Sequence, residues 1–90
     1  MRFEWNARKA AGNLRRHGVS FEEAASLFFD PLSATGDDPD HSLDERRFVT
    51  FGMSSSGRLL VVAYAAHDDA IRIITARLAT RAERKLYEEG

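Results

Sequence analysis

Between Arg46 and Leu78 the chain carries three runs rich in Val, Ile, Phe and Tyr, at residues 46–53, 58–66 and 70–78. They are parted only by Ser54-Ser55-Ser56-Gly57 and by His67-Asp68-Asp69. β-Branched and aromatic side chains suit a pleated surface, and a connection this short can only return a strand antiparallel to its neighbour. A three-stranded antiparallel meander is therefore the frame to which the rest of the chain must attach.

Upstream, Phe3-Glu4-Trp5 alternates apolar and polar as a short strand does. Asn6 stands as an N-cap, and residues 7–17 read as a helix closed by Gly18. In that helix Ala7, Ala10, Ala11 and Leu14 make an apolar stripe, while Lys9, Asn13 and either Arg16 or His17 stack on another face. Ser20-Phe21-Glu22-Glu23 is a capping box with Val19 and Ala24 placed as a hydrophobic staple, which predicts a second helix over 21–28, ended by Asp30-Pro31. Residues 32–36 read as a short strand, and the Gly-, Pro- and acid-bearing stretch on to Glu45 as an exposed loop. Thr80-Arg81-Ala82-Glu83 is a second capping box, opening a terminal helix that reaches Glu88. The expected architecture is one α+β domain over residues 1–90, with two N-terminal helices and a short C-terminal helix on one face of an antiparallel sheet.

With 90 residues, 43% of them hydrophobic, the chain has apolar material for one core and no room for a second. The absence of Cys excludes a disulfide, a thiolate nucleophile and Cys-ligated zinc or iron–sulfur sites. The run Asp37-Asp38-Pro39-Asp40-His41 lacks the spacing of an established metal site and reads as a turn, so neither metal nor cofactor is expected. Ser54, Ser55 and Ser56 have no nucleophile-elbow context, His67 reads as a plain turn histidine, and no Gly-rich phosphate loop is present. The N-terminal segment carries Arg2, Glu4, Arg8 and Lys9, and no run approaches the ~20 apolar residues of a membrane span. The expectation is a cytoplasmic chain without a membrane partner.

The net charge of -1 hides a segregation. Residues 1–21 hold Arg2, Arg8, Lys9, Arg15 and Arg16 against Glu4, residues 22–45 hold acids and no Lys or Arg, and residues 46–87 are again mostly basic. Of 13 basic residues only Lys9 and Lys85 are Lys, and the planar fork of Arg suits phosphate. Strand alternation puts Arg72, Ile74, Ala76 and Leu78 on one face and Ile71, Ile73, Thr75 and Arg77 on the other, so Arg72 and Arg77 diverge unless a bulge intervenes. A solvated surface accounts for such charges as well as an anion-binding one does.

Taken in order, these residues resemble the BrnT toxin family. The resemblance rests on Phe3-Glu4-Trp5-Asn6, Lys9, Asn13 and the run from His17 through Gly18-Val19-Ser20-Phe21-Glu22-Glu23 to Ala24. It continues through Asp30-Pro31, Asp38-Pro39-Asp40-His41-Ser42, Glu45-Arg46, Gly57-Arg58-Leu59-Leu60-Val61-Val62, Arg72-Ile73-Ile74-Thr75-Ala76-Arg77, and Glu83-Arg84 before Tyr87. Departures are Asn6-Ala7 where the family commonly has Asp-Pro, Thr75 where Ser is common, and a turn after Tyr64 lacking the usual Thr and basic residue. The resemblance implies a compact RelE-like fold and a ribonuclease toxin of a type II toxin–antitoxin pair. It further implies inhibition of translation and neutralisation by a BrnA-like ribbon-helix-helix antitoxin, with operator DNA bound only through the complex of the two.

Metal-free RNA cleavage needs proton transfer at the ribose 2′-hydroxyl and the departing 5′-oxygen, and cations at the phosphate. Residue types of this kind nominate Lys9 or His17 for proton transfer, Arg72 and Arg77 for holding phosphate, and Asn13, Arg46 or Tyr87 for positioning substrate. The competing reading is a non-catalytic RNA- or protein-binding module that uses the same arginines.

Overall fold

The computed structural model describes residues 1–38 and 46–89. In chain order its elements are β1 (Arg2–Glu4), α1 (Ala7–His17), α2 (Phe21–Ser26) with a 3₁₀ turn (Leu27–Phe29), β2 (Ala34–Asp37), β3 (Arg47–Met53), β4 (Leu59–His67), β5 (Ala70–Leu78) and α3 (Arg81–Glu89). The strands form one sheet in the order β1-β5-β4-β3-β2. The expected meander is its centre, with β3 antiparallel to β4 and β4 to β5. One pairing departs from an all-antiparallel sheet. β1 runs parallel to β5, because α1 and α2 carry the chain away before it returns.

Local chemistry sets the helix ends. The Asn6 side chain accepts from the Arg8 and Lys9 amides at 2.9 and 3.1 Å, and Gly18, at φ 69°, turns its N–H back to the Leu14 carbonyl. A side chain at Gly18 would be strained in that left-handed conformation. Ser20 caps α2 by accepting from the Glu23 amide at 3.0 Å, but Glu23 does not complete the box. Its carboxylate turns instead to Arg58, which donates from Nε at 3.0 Å, and to the Ser54 hydroxyl at 2.7 Å. Arg58 also donates to the Gly18 carbonyl, so the β3–β4 turn is pinned to both helices, and the Arg58 fork holds Glu23 below the ordinary carboxylate range.

The core lies between α1, α2 and one sheet face: Val19, Phe21, Ala24 and Leu27 meet Leu60, Val62, Ile73 and Ala76, all at most 2% exposed. Val19 and Ala24 are both in this cluster, as a hydrophobic staple requires. The expected apolar stripe of α1 holds only at Ala10, which packs against this cluster, while Ala7, Ala11 and Leu14 are exposed. Leu14 is 52% exposed, whereas Asn13 is 4% exposed and points inward. The physical reason is the sheet edge. β1 stops at Glu4, opposite Arg72, and the edge of β5 beyond it needs hydrogen-bond partners rather than hydrocarbon. Asn13 supplies them, accepting from the Ala76 N–H at 3.1 Å and donating to the Ala76 carbonyl at 2.8 Å and the Val19 carbonyl at 2.9 Å.

The terminal helix also departs from the expectation of helices on one face. α3 crosses the other face, tied there by Arg77 at its start and by Tyr87 against Phe51 at its end. Tyr87 donates to Asp30, which also accepts from the Met53 and Leu32 amides. Asp30 and Ser33 press so closely on Gly52 that a Cβ there would lie 3.0 Å from the Ser33 Cβ.

A cation-lined cleft beside the open edge of β5

Whether Arg72 and Arg77 can act together depends on one irregularity. Ala63 pairs with Thr75 but Tyr64 pairs with Ile73, so Ile74 is an extra residue in β5. The bulge resets the alternation: Ile73 and Ala76 both face the core, and Arg72, Thr75 and Arg77 share the opposite face.

The same bulge borders a cleft of about 440 Å³ between α1 and the β5 edge. Ile74 and Thr75 form one wall, and Arg8, Lys9, Arg15 and Arg16 bring four cations from α1. Gly12 leaves its middle open: a Cβ there would meet only the tip of Arg15, at 3.8 Å. None of the residues lining the cleft is acidic, so its lining is cationic although the chain's net charge is -1. Asn13 borders the cleft too, but its amide is spent on Val19 and Ala76.

The remaining nominated residues are dispersed. His17 is half-buried in the last turn of α1 and is not among the residues lining the cleft. Arg72 is half-buried in register with Glu4, on the same face as Thr75. Arg77 donates from both terminal nitrogens to Glu83, at 2.8 and 2.9 Å. Arg46 is exposed, 3.8 Å from Asp37 and stacked over Phe48. Tyr87 lies toward the β2 edge, where Leu32, Ala34, Phe51 and Leu86 join it around an apolar groove. Its hydroxyl is raised above the usual phenol range by the bond to Asp30. Lys9 and Tyr87 thus stand at opposite edges of the sheet, and only Lys9 among the nominated proton carriers lines the cleft. The expected turn around Asp40 and His41, and the side chain of His67, lie outside the described residues.

Arg8, Gly12, Arg15, Arg16, Ile74 and Thr75 belong to the cleft without having been nominated from sequence. The basic character of α1 is plain in the sequence. That its cations stand beside β5 follows from the Asn13–Ala76 bonds, which span 63 residues and leave no periodic trace.

The Arg77 fork, and after it the Thr80 amide, hold Glu83 at about 2, well below its ordinary 4.5 and against the opposing effect of burial. A depressed carboxyl contributes stability in full above its unfolded value and loses it as pH falls through its folded value. The melting temperature of the parent should therefore exceed that of Glu83→Gln by a constant margin above pH 4.5, and the margin should close as pH falls to about 2. Thermal melts of both proteins across that range would check this, and a margin independent of pH would contradict it.

Fold and cleft together define a small α+β protein that presents a concave cationic surface suited to a polyanion. The family described as ribonuclease toxin, BrnT, of type II toxin–antitoxin system matches the chain over residues 5–83, and the chain belongs to that family. Among solved structures, the fold is similar to the crystal structure of the Brucella abortus ribonuclease toxin BrnT, with a TM-score of 0.65. That match is 19% identical and covers 90% of this chain and 99% of the other. No curated protein matches the chain. No helix among the described residues is long and apolar enough to cross a membrane.

Proposed function

We propose that the chain, as a member of a ribonuclease toxin family, cuts RNA in the cleft between α1 and β5 without a metal ion. The observation that carries this reading is the meeting of Lys9 with three arginines beside an open strand edge. In the proposed step the ribose 2′-oxygen loses its proton and bonds to phosphorus, while the bond to the 5′-oxygen breaks and that oxygen gains a proton. Lys9 serves as a proton carrier. Arg8, Arg15 and Arg16 stabilise the charge gathering on the phosphate, and Arg72 and Arg77 extend the cationic track along the outer face of β5. Asn13 holds the edge of β5, and His17, Arg46 and Tyr87 take no chemical step in this scheme.

The partner in this proposal is a BrnA-like ribbon-helix-helix antitoxin. An acidic or amphipathic segment of it lies over the cleft, excluding RNA by occupying the same cations. Operator DNA is bound only through that complex, which represses its own operon. The setting is the cytoplasm, where cutting RNA inhibits translation.

The test is incubation of purified protein with end-labelled RNA in excess EDTA, beside the same RNA carrying a 2′-deoxynucleotide at the cut site. Cleavage of the all-ribose strand alone, stopped by the cognate antitoxin, is the expected result. Equal cutting of the deoxy-substituted strand would overturn 2′-hydroxyl attack, and RNA bound but left whole would make the chain a binding module.

A further inference from the structure

The face of β5 that carries Thr75 into the cleft carries Arg77 two residues further on, about 6.6 Å along the strand. Arg77 does not end in solvent. Both of its terminal nitrogens donate to the two oxygens of Glu83, the parallel fork geometry with which arginine also takes a phosphate. Glu83 has other duties: it accepts from the Thr80 amide at 2.8 Å, and its own amide donates to the Thr80 hydroxyl at 3.2 Å, closing the capping box of α3. The pair lies at the surface, with 42% of the Arg77 and 28% of the Glu83 side chain exposed, so an incoming anion can reach it.

We propose that Arg77 is a second backbone-phosphate subsite, continuous with the cleft, and that Glu83 occupies it in the free protein as a resident carboxylate which RNA displaces. This rests on the reading of the cleft as an RNA site. RNA entering along β5 places one phosphate among the α1 cations and a neighbouring one in the Arg77 fork, and the first turn of α3 yields its carboxylate. Glu83 thereby sets a threshold: a strand too short to reach from the cleft to Arg77 leaves the fork closed.

The experiment measures binding of a fluorescein-labelled single-stranded RNA, long enough to reach from the cleft past Arg77 and built on 2′-O-methyl riboses, which cannot be cut by 2′-hydroxyl attack, by fluorescence anisotropy. Glu83→Gln keeps an acceptor for the capping box and removes the charge, and should tighten binding about two- to five-fold, the range expected for releasing a surface ion pair. The gain should vanish in Arg77→Ala/Glu83→Gln. Thr80→Ala, which loosens the cap and leaves the fork intact, should bind as the parent does. Overturning results are an unchanged affinity in Glu83→Gln, an equal gain in Thr80→Ala, or a gain that persists without Arg77. A parent that binds no RNA at all overturns the reading of the cleft and the subsite with it, whereas a parent that binds while Glu83→Gln does not improve overturns the subsite alone.

Discussion

Asn13→Ala should lose about 3 kcal/mol of folding stability, because three main-chain groups are left without the partner that Asn13 supplies. The residue is 4% exposed, so water does not replace the lost amide cheaply. A buried polar group stripped of its partner costs about 1–3 kcal/mol, and the Ala76 N–H, the Ala76 carbonyl and the Val19 carbonyl are all affected. Carbonyls retain a second lone pair, which is why the expected total sits at the low end of the sum. Against a typical total of about 5–15 kcal/mol this is a large share, and for a chain of this size it lowers the melting temperature by roughly 12–24 °C. Asn13→Asp is no remedy: it keeps the acceptor for Ala76 N–H, loses both donations and puts a carboxylate in the interior. Urea and thermal denaturation followed by circular dichroism measure the effect. A variant as stable as the parent but defective on RNA would instead return Asn13 to the substrate.

Lys9→Ala should leave the fold intact and lower RNA cleavage by about 10²–10⁴-fold, the range lost with a positioned proton carrier. Lys9 is exposed on α1 and lines the cleft, so truncation removes no core contact. Binding should weaken far less, since three arginines remain, and the slope of log affinity against log salt should fall by about 0.7, the value for one phosphate contact on a single strand. Lys9→Arg separates the two roles. A guanidinium keeps the charge but does not give up its proton, so the salt slope should recover while the cleavage rate does not. Equal recovery of both would make Lys9 an electrostatic contact alone.

The elements were largely legible in the sequence because their signals are local. β-Branched runs, two capping sequences, and Gly18 after the first helix act within a few residues, and the structure places strands and helices close to where they point. The second helix is the mild exception, ending at Ser26 and tightening into the 3₁₀ turn before Asp30.

What was not legible is set by pairs distant in the chain. Periodicity favoured Leu14 over Asn13 for the interior, since hydrophobicity carries no record of an uncovered strand edge. Strict alternation separated Arg72 from Arg77, and only the pairing of β4 with β5 reveals the extra residue at Ile74. Glu83 was legible as a capping residue, but its second bond to Arg77 depends on α3 crossing the face opposite α1 and α2. The candidate site was thus only partly visible: the basic character of α1 was plain, but of the four cations in the cleft only Lys9 was nominated, and the cleft that gathers them could not be read.

In the proposed mode of binding, RNA lies between α1 and the open edge of β5. Titrating isotope-labelled protein with 2′-O-methyl RNA and mapping amide shift changes by NMR tests it most directly. Changes are expected at Arg8–Arg16 and across Ile74–Arg77; changes confined to the Leu32, Phe51 and Tyr87 groove, or none at saturating RNA, would rule out RNA binding in the cleft.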